Sequence, residues 1–324
     1  MFIFLGIVSF LLYYLLVQKI SFNSKLTIAF FYFMSTLVFK LLVNESSMPD
    51  YDSYYGVIGE EKGDLKSFFL FSEPYYFQSV NYLNNYFSKE IVINIFYFIN
   101  YTITNIFFIW LAFKIDIPIW NKILLYSLYY YFFSYILLRN TPSYILIGLL
   151  FYGINKHRIF KPSLLAFLSH LSSLPIILVS FFRNKIINFK FIILVLLLIF
   201  GYGFIINIEI LNIYEKINGY EEGKENTIKL FHLLYFTIFI LLNLFILRKE
   251  KYGFLNYTYL LLGCMYLILQ NINPVLGYRF SIYLILYIFL NPKFRLGVKS
   301  EKILNSFSFS FIFIFFYNIV DIFK

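Results

Sequence analysis

Apolar positions in this chain follow neither strand alternation nor the three-to-four spacing of a surface helix. They fall in long runs separated by short polar segments. The runs are Phe2–Val17, Leu26–Val43, Ile91–Phe113, Ile123–Leu138, Ser143–Ile154, Ser163–Phe182, Phe191–Ile208, Leu230–Leu247, Phe254–Gln270, Arg279–Leu290 and Ile303–Val320. A helix crossing the bilayer core needs roughly 20 apolar residues, so the pattern predicts an all-α polytopic integral membrane protein of about 10–11 transmembrane helices. It forms a single domain over residues 1–324. Ser143–Ile154 and Arg279–Leu290 are too short to cross without their flanking residues. The first run lacks a basic leader and a small-residue cleavage site, and is expected to be a retained helix.

The polar segments differ in sign. Residues 44–90 carry eight acids against Lys62, Lys66 and Lys89, and residues 209–229 carry five acids against three lysines. The segments 18–25, 114–122, 155–162, 183–190, 248–252 and 291–302 hold 17 basic residues and three acids. Lysine and arginine gather on the cytoplasmic side, which puts the two acidic segments and both termini outside. The large outer loop 44–90, with apolar patches such as Phe68-Phe69-Leu70-Phe71, is expected to form one or two short helices on the outer surface. Basic segments also flank residues 163–182 on both sides. That stretch is therefore either a re-entrant hairpin turning near Ser172-Ser173-Leu174-Pro175, or a single crossing that violates the charge rule. Non-helical backbone at membrane depth is tolerated only beside protein or a polar cavity.

Composition sharpens this picture. The chain is 60% hydrophobic and 14% charged, with 44 Phe and 31 Tyr, and its mean hydropathy is +0.74. A soluble domain carries about a quarter charged residues, so that class is excluded. The net charge of +10 reflects topology and does not call for a nucleic-acid partner. The only cysteine, Cys264, supports neither a disulfide nor a cysteine-based zinc site. Zincin, P-loop and dinucleotide motifs are absent.

Three basic residues fall within or at the edge of apolar runs: Lys40, Arg139 and Arg279. Charge at that depth is costly and usually faces a polar cavity. Arg139 and Arg279 stand where two runs meet, on the outer side, with no acid within helical reach. Guanidinium binds phosphate bidentately and keeps its charge, which suits a lipid-linked pyrophosphate at that level. Snorkelling to the outer headgroups is the alternative for each, and it is the better account of Lys40. His157 lies in a basic loop and His232 at an interface. His170 lies in the 163–182 segment, as a general base or as a neutral imidazole bonded to nearby serines. Asp50 and Asp52 form an Asp-x-Asp pair in the outer loop, an alternative divalent-metal site; otherwise no cofactor is expected. Glu73 precedes Pro74 as a candidate acid or a helix-start residue.

Four stretches, taken together, resemble the Wzy/EpsG-type polysaccharide polymerases of bacterial envelopes. They are Met48-Pro49-Asp50-Tyr51-Asp52-Ser53-Tyr54-Tyr55, then Ser72-Glu73-Pro74-Tyr75-Tyr76, then Leu138-Arg139-Asn140 through Lys156-His157-Arg158 to Phe167-Leu168-Ser169-His170, and Tyr278-Arg279-Phe280-Ser281-Ile282-Tyr283. Their order and spacing carry the likeness. Asn140 replaces a frequent glutamine, Leu168-Ser169 separate His170 from Phe167, and Lys40 stands loosely where the family has an arginine.

The resemblance implies a glycosyltransferase in the bacterial cytoplasmic (inner) membrane that joins undecaprenyl-pyrophosphate-linked oligosaccharide repeat units at its outer face. Its partners would be that substrate, membrane lipid, and a chain-length regulator and flippase of the same pathway. Arg139 and Arg279, with Lys40 a weaker third, would hold the pyrophosphate. His170 would be the first candidate base, with Asp50, Asp52 and Glu73 as alternatives. Two other classes remain: a lipid-linked oligosaccharide flippase, which should show inverted repeats and charges through both leaflets, and a membrane acyltransferase modifying the glycan, with its charges nearer the cytoplasm.

Overall fold

A computed structural model of the chain describes residues 2–58 except 49, 74–153, 160–181 except 171, positions between 234 and 242, and 257–291 except 273. The described residues are mostly helical, with no strand among them. The spans expected at Phe191–Ile208 and Ile303–Val320, the acidic segment 209–229, Glu73, His157 and His232 lie outside the described residues. The described chain groups into two compact units, Met1–Lys62 with Glu73–Leu171 and Leu286–Lys324, and Gly63–Ser72 with Ser172–Ile285.

The first unit opens with α1 (Phe2–Leu16) and α2 (Phe22–Leu42), which pack closely together. The segment expected as the outer loop holds a short 3-10 turn (Glu45–Ser47), α3 (Tyr51–Val57) and α4 (Pro74–Asn84). Next come α5 (Lys89–Phe113) and α6 (Ile119–Tyr131), the latter continued by one π-helical turn (Phe132–Ile136). After α7 (Thr141–Gly153) and α8 (Phe160–Ser169), the end of α11 (Pro274–Leu290) completes this unit. The second unit contains α9 (Ser173–Phe181), α10 (Tyr257–Ile272) and the earlier part of α11.

Proline places the helix starts. Every described proline (Pro74, Pro118, Pro142, Pro162, Pro175 and Pro274) stands at a cap or in the first turn of a helix. There the missing N–H removes no intrahelical bond. Pro274 accordingly starts α11 five residues before the apolar run expected from Arg279, and places Arg279 inside a helix instead of at a junction.

Two described helices are long and apolar enough to cross a membrane, α2 with 21 residues and α5 with 25. At 1.5 Å per residue they reach about 31 and 37 Å. Parts of α1, α7 and α11 are apolar but shorter. On α1 the stripe Phe4, Ile7, Leu11 and Leu15 is exposed, and on α2 the stripe Phe30, Met34, Val38 and Leu41. Contiguous apolar faces of this kind are rare on proteins surrounded by water.

Between α1, α2, α5 and α6 the core is a cluster of aromatic rings. Tyr13 stacks on Tyr126 at 4.1 Å and Tyr126 on Tyr130 at 4.7 Å, while Phe108 meets Tyr126 edge-on at 5.2 Å. Beside it a buried polar knot ties three helices. Thr36 Oγ1 lies 3.1 Å from both the Tyr101 hydroxyl and Asn105 Oδ1, and Asn105 Nδ2 donates to the Tyr130 hydroxyl at 3.3 Å. Bonds between helices of this sort fix register where apolar packing alone does not. Gly148 on α7 lets α11 come close: a Cβ there would stand 2.9 Å from Leu290 Cδ1.

In the second unit α10 and α11 pack as neighbours at Gly277, where a Cβ would lie 2.7 Å from the Cα of Gln270. Tyr259 and Tyr266 of α10 meet Ile240 and Phe236, through a 3.3 Å hydrogen bond to the Ile240 carbonyl and a ring contact at 5.0 Å. Ser172 and Tyr283 hydroxyls lie 3.0 Å apart.

The stretch 163–182 is broken. α8 ends at Ser169 and α9 begins at Ser173, with 10 and 9 residues respectively. Neither is long enough to cross a hydrocarbon core alone. The break falls ahead of the turn expected near Ser172-Ser173-Leu174-Pro175: α8 ends at Ser169, and Ser173, Leu174 and Pro175 form the first turn of α9.

Candidate functional site at a broken helix

The run Ile123–Leu138, expected as one helix, loses its regular winding at its C-terminal end. Leu137 N–H donates to the Phe132 carbonyl at 2.8 Å, a five-residue step, and Leu137 itself leaves helical geometry with φ −95° and ψ 52°. Residues 138–140 then form a turn before α7. Thr141 stitches the two helices together, its Oγ1 lying 2.9 Å from the Phe133 carbonyl and 2.8 Å from that of Leu137. Inserted turns of this kind inside helices are frequent at functional sites.

A break leaves carbonyls without helical partners, and burial makes that costly unless side chains replace them. Here they do. Asn100, fully buried on α5, donates from Nδ2 to the Leu138 carbonyl at 2.7 Å. The Tyr54 hydroxyl of α3 donates to the Ile136 carbonyl at 3.3 Å. α4 is tied in turn to α5 and α3: Tyr75 of α4 donates to Asn100 Oδ1 at 3.3 Å, and Tyr76 donates to the Tyr54 carbonyl at 3.0 Å. Below them Phe39, Tyr54, Tyr76, Phe77, Val92, Phe96, Tyr97, Tyr135 and Leu138 form one buried cluster.

Arg139 sits in this turn, half-buried. Its guanidinium carbon lies 5.8 Å from the ring centre of Tyr54 and 5.6 Å from that of Phe77. Three of the sequence stretches named above thus meet: Asp50–Tyr55 through Tyr54, Glu73–Tyr76 through Tyr75 and Tyr76, and Leu138–Asn140 through Arg139. Burial keeps the phenols of Tyr75 and Tyr76 well above the ordinary tyrosine value, and the nearby Arg139 offsets part of that for Tyr76. The Tyr55 phenol is raised chiefly by its hydrogen bond to Glu90 Oε1 at 2.5 Å. These phenols stay protonated at neutral pH, so they act as donors and not as bases.

The other candidates are placed differently. Lys40 is buried and forms an ion pair with Glu45 of the 3-10 turn, just beyond the end of its own helix. That partner accounts for its burial without a substrate. Asp50 caps α3, half-buried and without a side-chain capping bond, whereas Asp52 is exposed. The Asp-x-Asp pair thus straddles the start of α3, with Asp50 outside the helix and Asp52 in its first turn. Among the described residues no group of three or more His, Cys, Asp or Glu side chains is arranged to hold a metal ion. His170 is half-buried at the end of α8, its N–H donating to the Ala166 carbonyl at 3.0 Å. α8 packs on α7 and α4, the helices that flank Arg139. Arg279 is half-buried in the second turn of α11, in the second unit.

Sequence reasoning missed Asn100, although a lone amide in the centre of an apolar run is a recognisable mark of interhelical bonding. It also missed the tie between Lys40 and Glu45. Comparison of the chain with family models, curated proteins and solved structures finds no match.

Proposed function

We propose that this chain is a polytopic enzyme of the bacterial cytoplasmic membrane that polymerises undecaprenyl-pyrophosphate-linked oligosaccharide repeat units at the outer face. The observation that carries this reading is the broken helix end at Arg139. A guanidinium is held there in a turn of non-helical backbone and packed against aromatic rings from the outer loop. The resemblance of the four sequence stretches supplies the substrate, and the exposed apolar faces of α1 and α2 support the membrane setting.

In this mechanism Arg139 binds the donor pyrophosphate and stabilises charge on the leaving group as the glycosidic bond breaks. The resemblance gives Arg279 the part of a second cation. An acceptor sugar hydroxyl attacks the anomeric carbon, giving its proton to a base, with His170 first among the candidates and Asp50, Asp52 and Glu73 next. The donor is already activated, so no nucleotide site is required. Tyr55, Tyr51 and Tyr97 form a row of near-parallel rings, 5.7 and 6.4 Å apart, and tyrosines around this segment are of the kind sugars pack against.

The test is reconstitution. Purified protein in liposomes, given only a lipid-linked repeat unit, is expected to yield dimers and longer chains without nucleotide sugar or acyl donor. Unchanged substrate from a folded preparation would overturn the reading.

A further inference from the structure

The end of the first unit away from Arg139 carries a different cluster. α5 ends at Phe113, leaving its last carbonyls without helical partners. Lys122 of α6, only 3% exposed, donates from Nζ to the Ala112 carbonyl at 3.2 Å and also to the Lys114 carbonyl. Lys25 of α2 reaches the same Ala112 carbonyl at 3.5 Å. Lys114 stands over the rings of Trp110 and Tyr152, at 4.9 and 5.4 Å. Three ammonium groups from three segments therefore meet around one helix end, two of them sharing a single carbonyl oxygen.

Neutral carbonyls and the helix dipole offset only part of that charge. The nearby carboxylate is Asp116, which accepts a 3.1 Å hydrogen bond from the Tyr152 hydroxyl. None of the three lysines has a carboxylate within 4.0 Å among the described residues, where the recorded ion pair is that of Lys40. Each ammonium has three donors, and the bonds above leave several of them unused. Both tryptophans of the chain lie here too, Trp110 in the last turn of α5 and Trp120, 58% exposed, in the first turn of α6. Beside them Phe22 and Ile115 are 64% and 90% exposed. Tryptophan and lysine side by side mark headgroup depth in a bilayer.

We infer that Lys25, Lys114 and Lys122 form a binding site for the headgroup phosphate of an anionic phospholipid. The phosphate oxygens accept from Lys25 and Lys114, Lys122 supplies a buried charge behind them, and Trp120, Phe22 and Ile115 lie against the glycerol and upper acyl chain. The site is separate from the one at Arg139, and it rests on the proposed membrane setting but not on the polymerase chemistry.

The experiment uses the full chain in nanodiscs of phosphatidylcholine with or without phosphatidylglycerol, released into the gas phase for native mass spectrometry. Carbonate-resistant sedimentation of the wild type with membranes checks the setting independently. The wild type is expected to retain phosphatidylglycerol over phosphatidylcholine. Lys25→Gln with Lys114→Gln, which spares the buried Lys122, should lower that retention about tenfold or more. Lys89→Gln, at the opposite end of α5, should leave it unchanged. Equal retention of the two lipids, or wild-type retention by the double variant, would overturn the inference. So would displacement of the lipid by millimolar inorganic phosphate, which would identify a site for a free anion.

Discussion

The two ends of α5 treat exposed backbone in opposite ways. At its C-terminal end the unpaired carbonyls belong to a normal helix terminus, and lysines from neighbouring segments cap them. At its N-terminal half the carbonyls to be satisfied belong to another element, the break after α6, and Asn100 with Tyr54 satisfies them. The first arrangement follows from the helix dipole, which favours cations at any helix C-terminus. The second does not. An uninterrupted α6–α7 helix would need neither Asn100 nor the Tyr54 bond. Polar groups are committed there to holding a turn, and the residue in the turn is Arg139.

The contrast is open to mutation. The largest stability effect is expected at Lys40 and Glu45, where Glu45→Gln leaves a buried ammonium without its partner. We expect a loss of about 3 kcal/mol, read by thermal denaturation in detergent. Lys40→Met combined with Glu45→Gln should recover most of it; a double variant worse than the single would show that the pair does not explain the burial of Lys40.

Asn100→Leu comes next. It leaves the Leu138 carbonyl and the Tyr75 hydroxyl unpaired, which should cost about 2–3 kcal/mol and abolish the proposed polymerisation even in protein that remains folded at low temperature. Retained activity would mean that the turn holds its shape without α5. At Gly277, alanine would press on the Gln270 backbone and should cost about 1–3 kcal/mol. It should leave the first unit intact, as judged by limited proteolysis. The smallest effect is expected from Tyr54→Phe, which removes one donor to Ile136 but keeps the ring beside Arg139. A loss of about 1 kcal/mol with nearly normal product length separates the hydrogen bond from the ring contact.

Helix positions were largely legible in the sequence because apolar runs and prolines dominate. α1, α2 and α5 begin and end within a few residues of the expected runs, whereas flanking charge left two readings of 163–182 open and the break falls ahead of the turn expected near Ser172-Ser173-Leu174-Pro175. The π-helical turn was not legible. Phe132-Phe133-Ser134-Tyr135-Ile136 contains no glycine, proline or charge, and the extra residue becomes visible only through its five-residue hydrogen bond. Arg139 was singled out as a candidate because a cation in an apolar setting is conspicuous. Its supports were harder to read. Asn100 lies 39 positions away on another helix, and the pairing of Tyr54, Tyr75 and Tyr76 depends on how α3 and α4 fold back onto α5. Lys40 was read as a snorkelling or binding cation because its partner lies past the helix end, in a 3-10 turn that charge patterning does not reveal.

The central claim is that the turn at Arg139 is where the donor pyrophosphate is held. The direct measurement is the length distribution of the surface glycan in cells carrying Arg139→Ala, with membrane protein at the wild-type level. The account predicts single repeat units on the lipid carrier and loss of the long-chain ladder. A wild-type ladder would contradict it.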